Sequence, residues 1–338
     1  MRLQIDVLVW RGAIPESRHR VQAAVCDPEG RLEAETEQAD IVTTFRSAAK
    51  PFQLLALVER GHAERWRWSD EQLAIMAASH TGSRAHLELV SGILERLGLS
   101  DRHLACGFHE PADAGSLTHV RAHPEDRSPL YNNCSGKHAG MLCLALSEGW
   151  PVEGYERQDH PLQQLMRRNV AELCGVTPES LVVAVDGCSV SVFGLPLTGM
   201  ARAYARLAAG EADGDARGRA LNRIRGAMCA FPRAVAGEGR LSTLLMEATG
   251  GRLVAKGGAE GLECVGVPGR RLGIALKCED GQARGIAPAT LALLEQLGEI
   301  TDGELKRLAA SRRPVIHNHA GLEVGALEAV VKVPASAP

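Results

Sequence analysis

No apolar run in this chain approaches the roughly 18 residues that would span a bilayer. Neither sign of charge is in excess. The chain has 38 Lys and Arg against 41 Asp and Glu, a formal net charge of −3, and so offers no broad attraction to nucleic acid or acidic lipid. Internal repeats, charge blocks and low-complexity stretches are missing, and no segment reads as a long linker. The nine cysteines are an odd number without paired spacing, which excludes a Cys-x-x-Cys zinc finger. At the N-terminus the apolar core before Arg11 is only the four residues Val7-Leu8-Val9-Trp10, and no small-residue cleavage site follows. The expectation is no signal peptide, reduced thiols and a cytoplasmic protein. What remains is ordinary globular chemistry. Apolar residues make up 45% and charged ones 23% of 338 residues, and one domain over 1–338 is expected.

Several catalytic signatures also fail. Gly-x-Ser-x-Gly does not occur, and Gly237-Glu238-Gly239 lacks the third glycine of a dinucleotide fingerprint. His109-Glu110 has no second histidine at 113, so the zincin pattern fails. Ser135-Gly136-Lys137-His138 is no phosphate loop, because the upstream glycine and the following Ser/Thr are missing.

Strands and helices alternate without strict order. Arg20 to Cys26 and Arg31 to Glu37 flank the turn residues Asp27-Pro28-Glu29-Gly30. Helices are expected at Phe52–Glu59, from a Ser69/Gln72 capping box to about Ala78, and at Ala85–Leu97, His138–Ser147 and His160–Cys174. Leu181–Val185 reads as a buried strand running into Asp186-Gly187-Cys188. Gly210 to Gly218 reads as a surface loop. Further helices are expected around 198–208, 216–230 and 240–248 and from Pro288, with strands around 252–256, 262–267 and 271–278. This pattern predicts an α/β fold, a sheet flanked by helices.

Four segments could carry chemistry. In Arg46-Ser47-Ala48-Ala49-Lys50-Pro51, Ser47 and Lys50 share a face of a helical turn, and Pro51 places them at a helix start. A lysine activates a serine only when burial or nearby positive charge lowers its pKa. The alternative is a helix start with a solvated lysine. Ala78-Ser79-His80-Thr81-Gly82-Ser83 is a polar cluster closing a helix, able to relay a proton or simply to cap. Tyr131 to Gly140 gathers Asn132, Asn133, Cys134, Ser135, Lys137 and His138. There Cys134 is a nucleophile, a metal ligand together with Cys188, or a small buried hydrophobe. Val254-Ala255-Lys256-Gly257-Gly258 is a strand edge that admits a ligand closely, or an ordinary hairpin turn.

Taken in order with Arg11-Gly12, Glu16-Ser17-x-His19-Arg20 and Cys106-Gly107-x-His109-x-Pro111, these segments resemble the asparaginase II family, the rhizobial-type (class 3) L-asparaginases. The resemblance runs from about Trp10 to Val331. It implies a fold similar to the serine β-lactamases and penicillin-binding proteins, an αβα sandwich. It also implies two Ser–Lys tandems, Ser47–Lys50 and Ser79–Lys256, and a zinc site of Cys134, Lys137 and Cys188 beside Asp186. The metal would tune affinity rather than perform the chemistry. The implied reaction is hydrolysis of L-asparagine through an acyl-enzyme in a homodimer, with Ser47 as nucleophile and Lys50 as base. Arg46, His138 and Asp186 would hold the α-carboxylate and α-ammonium. Arg240-Leu241-Ser242-Thr243 stands where relatives can carry a further cysteine, and no Ser-Asp-Asn element is present. Rival readings are another serine amidase on the same scaffold, acting on glutamine, a short peptide or a β-lactam, and a thiol- or zinc-centred protein built on Cys134.

Overall fold

Asp27-Pro28-Glu29-Gly30 forms the turn its composition foretells. In the computed structural model Gly30 takes φ +90°, and its N–H donates to Asp27 O at 3.0 Å. The structure describes residues 1–210 and 215–334. Its strands in chain order are β1 (Arg2–Arg11), β2 (Ile14–Cys26), β3 (Leu32–Thr36), β4 (Val42–Thr44), β5 (Val182–Val185), β6 (Ser191–Pro196), β7 (Val254–Gly258), β8 (Leu262–Val267), β9 (Leu272–Cys278), β10 (Val315–His317) and β11 (Glu323–Lys332). No helix of the described residues is long and apolar enough to cross a membrane. The expected 210–218 loop lies partly outside the described residues. Beyond the gap, Asp215 caps the helix Ala216–Ala230 by accepting from Gly218 N–H at 2.6 Å.

Contacts group the chain into two compact units. The first comprises Met1–Ala48, Leu195–Ala209 and Leu244–Pro338, and the second Ala49–Gly194 and Gly210–Thr243. The first is built on an eight-stranded sheet in the order β10-β11-β1-β3-β2-β9-β8-β7, with β1 also pairing β2. Glycine lets the helix Leu197–Ala209 lie directly on one face, since a Cβ at Gly273 would sit 1.9 Å from Ala201 O. The opposite face carries the helix Ile286–Gln296. Gly285, at its start, is packed so that a Cβ there would meet His19 Cβ at 3.1 Å and Cys278 Sγ at 3.4 Å. Residues 273 and 278 of β9 differ in parity and so point to opposite faces. This α/β sandwich is the expected fold class. Strands β7 to β9 fall close to their expected spans, whereas β10 and β11 were not expected from the sequence.

The second unit is mainly helical. Its helices include Lys50–Glu59, Asp70–Met76, Arg84–Arg96, Ser135–Glu148, Pro161–Cys174 and Ala216–Ala230. Ser69 and Gln72 form the expected capping box. Ser135–Glu148 approaches the end of Asp70–Met76 so closely that a Cβ at Gly136 would lie 2.2 Å from Ile75 O. That contact draws Cys134 and Lys137 toward Ala78 and Ser79. One expectation is corrected. β5 is not a buried strand: it pairs with β6 in a hairpin, and Val182 and Val185 are 62% and 65% exposed. An apolar run of four residues cannot by itself distinguish an edge strand from a buried one.

Candidate active site

Lys50 is the first residue of its helix, with Pro51 in the first turn, where a missing N–H costs no helical bond. The 3-10 turn Arg46–Ala49 leads straight into it. Lys50 is only 1% exposed. Its Nζ donates to Ala78 O at 2.6 Å, to Ser79 Oγ at 2.7 Å and to Asn133 O at 3.5 Å. Burial lowers its pKa below the ordinary lysine range. The Lys137 charge acts in the same direction and Cys134 acts against it. An amine so lowered, hydrogen-bonded to a serine hydroxyl, is equipped to exchange a proton with it. The Lys50–Ser79 bond was not among the pairings expected from the sequence. Ser79 is itself anchored by its N–H, which donates to Val235 O at 2.9 Å.

Cys134, Lys137, Cys188 and Asp186 adjoin this pair. Lys137 Nζ donates to Cys188 Sγ at 3.0 Å, and Asp186 Oδ2 lies 3.9 Å from that sulfur. A hydrogen bond from the Cys188 thiol, together with the Lys137 charge, pulls Cys134 well below the usual thiol range despite its burial. Cys188 is pushed up in turn and keeps its proton. Burial works against charge on Lys137, but the Cys134 and Cys188 sulfurs hold it above the ordinary range as an ammonium. The Asn133 side-chain amide, 3.1 Å from Cys134 Sγ, can present its oxygen to a thiol or its NH2 to a thiolate.

This donor set can be tested against zinc. Two sulfurs and an amine nitrogen, all buried, suit a borderline cation. A divalent cation held by two thiolates and a neutral amine sums to zero charge, so these three side chains would hold zinc without adding net charge among them. The residues fit the metal.

The backbone around Asp186 presents this corner. Asp186 N–H donates to Val190 O and Ser189 N–H to Asp186 O, both at 2.9 Å, and Ser189 adopts φ +75° to close the turn. Asn132 fixes the opposite loop. Its Nδ2 donates to Cys106 O at 2.8 Å and its Oδ1 accepts from Cys134 N–H at 2.9 Å.

His138 lies one residue beyond Lys137 and is fully buried. Burial, reinforced by the Lys137 charge, keeps it neutral, well below the usual imidazole range. Tyr155 Oη accepts from Ala105 N–H at 2.9 Å and lies 2.6 Å from His138 Nδ1. Since burial raises the phenol's pKa, Tyr155 is the donor to Nδ1, and the histidine proton sits on Nε2. That Nε2 is buried and bonds no other described group. His80 is likewise neutral, lowered chiefly by burial. Its Nδ1 accepts from Gly82 N–H at 3.1 Å, so Nε2 donates to Ser135 Oγ at 2.9 Å, which donates to Leu130 O at 3.0 Å. Sequence reasoning missed Tyr155 and the role of Asn133. The asparagine stood within a motif, whereas nothing in its sequence neighbourhood marks Tyr155.

The first unit carries the remaining expected residues. Ser47 is half-buried on its turn, preceded by Arg46 at φ +43°, a left-handed conformation that residues other than glycine seldom adopt. Buried Phe45 makes an edge-on contact with Tyr204, whose hydroxyl donates to Ala48 O at 2.9 Å, and so one residue holds both ends of the turn. Lys256 is buried on β7 opposite Cys264, with Nζ donating to Gly257 O at 2.7 Å.

A family model described as L-asparaginase II matches residues 7–329 of this chain. Among curated proteins none matches. Among solved structures the chain is similar to Mglu in its native form, at 17% identity and a TM-score of 0.47, covering 85% of this chain and 66% of that one. A structure of Mglu in its glutamate form matches with the same identity and TM-score, over 85% of this chain and 62% of that one. The chain thus spans just under two thirds of the length of these Mglu chains.

Proposed function

Because the chain belongs to the L-asparaginase II family, we propose that it hydrolyses the side-chain amide of L-asparagine to L-aspartate and ammonia. Family membership supports the coarser statement, an enzyme acting on an amide of a small molecule. One observation supports a lysine base: a fully buried lysine of lowered pKa, Lys50, stands 2.7 Å from the Ser79 hydroxyl.

In the proposed reaction Ser47 attacks the amide carbon, and its proton passes to the neutral Lys50 amine. Backbone N–H groups near the helix start stabilise the oxyanion, an effect commonly worth about 3–4 kcal/mol per donor. Expulsion of ammonia needs a proton at the leaving nitrogen. The Lys50–Ser79 hydrogen bond supports a relay through Ser79, which Lys256 completes. Water then cleaves the aspartyl ester. Arg46 forks onto the α-carboxylate, Asp186 faces the α-ammonium, and His138 Nε2–H donates to a substrate oxygen. Cys134, Lys137 and Cys188 would hold zinc, which when bound fixes this corner and tunes affinity without entering the amide chemistry. The reading further takes the protein as a cytoplasmic homodimer.

A second assignment is favoured by the same bond. Ser79, not Ser47, holds the hydroxyl seen on Lys50, so Ser79 could be the nucleophile with Lys50 as its base.

The test is ammonia release from L-asparagine, with L-glutamine, a short peptide and a β-lactam as comparators, in wild type, Ser47→Ala, Ser79→Ala and Cys134→Ser. One methylene is worth only about 1–3 kcal/mol in a pocket, so the glutamine ratio measures its size. Loss in Ser47→Ala with survival in Cys134→Ser supports the proposal. Loss only in Ser79→Ala selects the second assignment, and abolition by Cys134→Ser selects a thiol enzyme. No release from L-asparagine in wild type refutes the substrate.

A further inference from the structure

Outside the groups used above, the first unit holds a second set of metal-binding atoms. β2 and β9 pair antiparallel with Val21 opposite Cys278. The pairing continues past the strand end, because Glu279 N–H donates to Arg20 O at 2.9 Å. His19 is therefore opposite Asp280, and with a period of two His19, Cys278 and Asp280 all project from the same face. The imidazole, thiol and carboxylate each offer one donor atom, all within 4.8 Å of one another. His19 Nδ1 is 2.5 Å from Asp280 Oδ2, and Cys278 Sγ donates to Asp280 Oδ1 at 3.0 Å.

We infer that His19, Cys278 and Asp280 form a binding site for a divalent borderline metal of the zinc class, separate from the Cys134–Lys137–Cys188 set. One nitrogen, one sulfur and one oxygen suit such a cation better than calcium or magnesium, which take oxygen ligands. Charge agrees: a divalent cation with one carboxylate and one thiolate sums to zero, and the only proton released is that of the Cys278 thiol. The frame is fixed before binding. Cys278 N–H donates to Gly261 O at 2.8 Å, Gln282 N–H donates to Asp280 Oδ1 at 3.0 Å, and Gly285 closes against His19 and Cys278.

His19 and Cys278 are buried, while the Asp280 side chain is 44% exposed and leaves an entry path and a fourth position for water. One group must move. Arg284 Nε donates to His19 Nε2 at 2.9 Å, and when Nδ1 binds metal the imidazole proton shifts to Nε2. Arg284 is exposed on the 3-10 turn Ala283–Gly285 before that helix and would withdraw into solvent. The bound metal would clamp β2 to the turn after β9.

The test is titration of the full chain with Co2+ in a Cys134→Ser/Cys188→Ser background, which removes the other thiolate ligands. The expected result is one equivalent bound, with a thiolate-to-cobalt charge-transfer band that disappears on adding Cys278→Ser. Absence of the band, or its persistence without Cys278, overturns the proposal. Asp280→Asn in the otherwise unaltered chain keeps the test decisive if that background does not fold. Wild type should bind two equivalents, and the variant should hold one of them at least about tenfold more weakly, since even outer-shell losses cost that much. Metal affinities left unchanged by Asp280→Asn, whether one or two equivalents bind to wild type, would overturn it.

Discussion

Replacing Lys50 by Met removes the amine and keeps most of the side-chain volume. In the folded protein this leaves Ala78 O, 2.6 Å from Nζ, without that donor in a buried place, while the Ser79 hydroxyl can rotate and the 3.5 Å bond to Asn133 O was already long. One buried carbonyl left unsatisfied costs about 1–3 kcal/mol. Removing an amine that burial already disfavours in its charged form offsets part of this. The expected loss of stability is therefore at most about 3 kcal/mol, within what a domain of ordinary stability survives. The expected loss of kcat/KM is much larger, about 10²–10⁴-fold, the usual contribution of a positioned base. Urea unfolding and ammonia release measured on the same preparation separate the two effects. A folded Lys50→Met enzyme within tenfold of wild-type kcat/KM would refute the assignment of Lys50 as the base, since a lysine of merely structural value would cost stability and spare turnover.

Gly136→Ala places a Cβ 2.2 Å from Ile75 O, so the two helices must part. The urea midpoint should fall by the equivalent of about 1–3 kcal/mol despite alanine's better helix propensity, and an unchanged midpoint would contradict the close approach. His80 is neutral and buried in the native state but titrates near 6.5 when unfolded. The unfolded chain then binds the extra proton, and stability falls as pH drops below about 6.5, by up to about 1.4 kcal/mol per pH unit. In His80→Gln the stability–pH curve between about pH 6 and 5 should be flatter by that amount. Cys134→Ser should weaken zinc binding at least tenfold by equilibrium dialysis, ~10-fold being the scale of a single outer-partner loss, while turnover survives. Abolished turnover there would transfer the chemistry to the thiol.

Local chemistry wrote most of the fold into the sequence. The Ser69/Gln72 box, Pro51 in a first turn and Gly175 at φ +71° after Cys174 mark helix ends through backbone constraints that need no partner. The misses depend on what lies across space. Val182 and Val185 are apolar yet exposed, because burial depends on whether a second layer covers the strand. Strands β10 and β11 were not foreseen, although β11 pairs with β1 from Gln4↔Lys332 to Arg11↔Gly325. At the site, motifs picked out Lys50, Ser79, Cys134, Lys137 and Cys188, but not who bonds to whom. Lys50 meets Ser79 across 29 positions, and His19 meets Asp280 across 261, separations at which neither spacing nor periodicity informs.

The most direct test of the serine mechanism is to quench the enzyme in acid during turnover of L-asparagine and locate the covalent aspartyl group by peptide mass spectrometry. The expected adduct is on Ser47, absent from Ser47→Ala and diminished in Lys50→Met. An adduct on Ser79 would keep the Lys50 base and move the nucleophile. An adduct on Cys134, or ammonia release with no serine adduct under any quench, would contradict the mechanism.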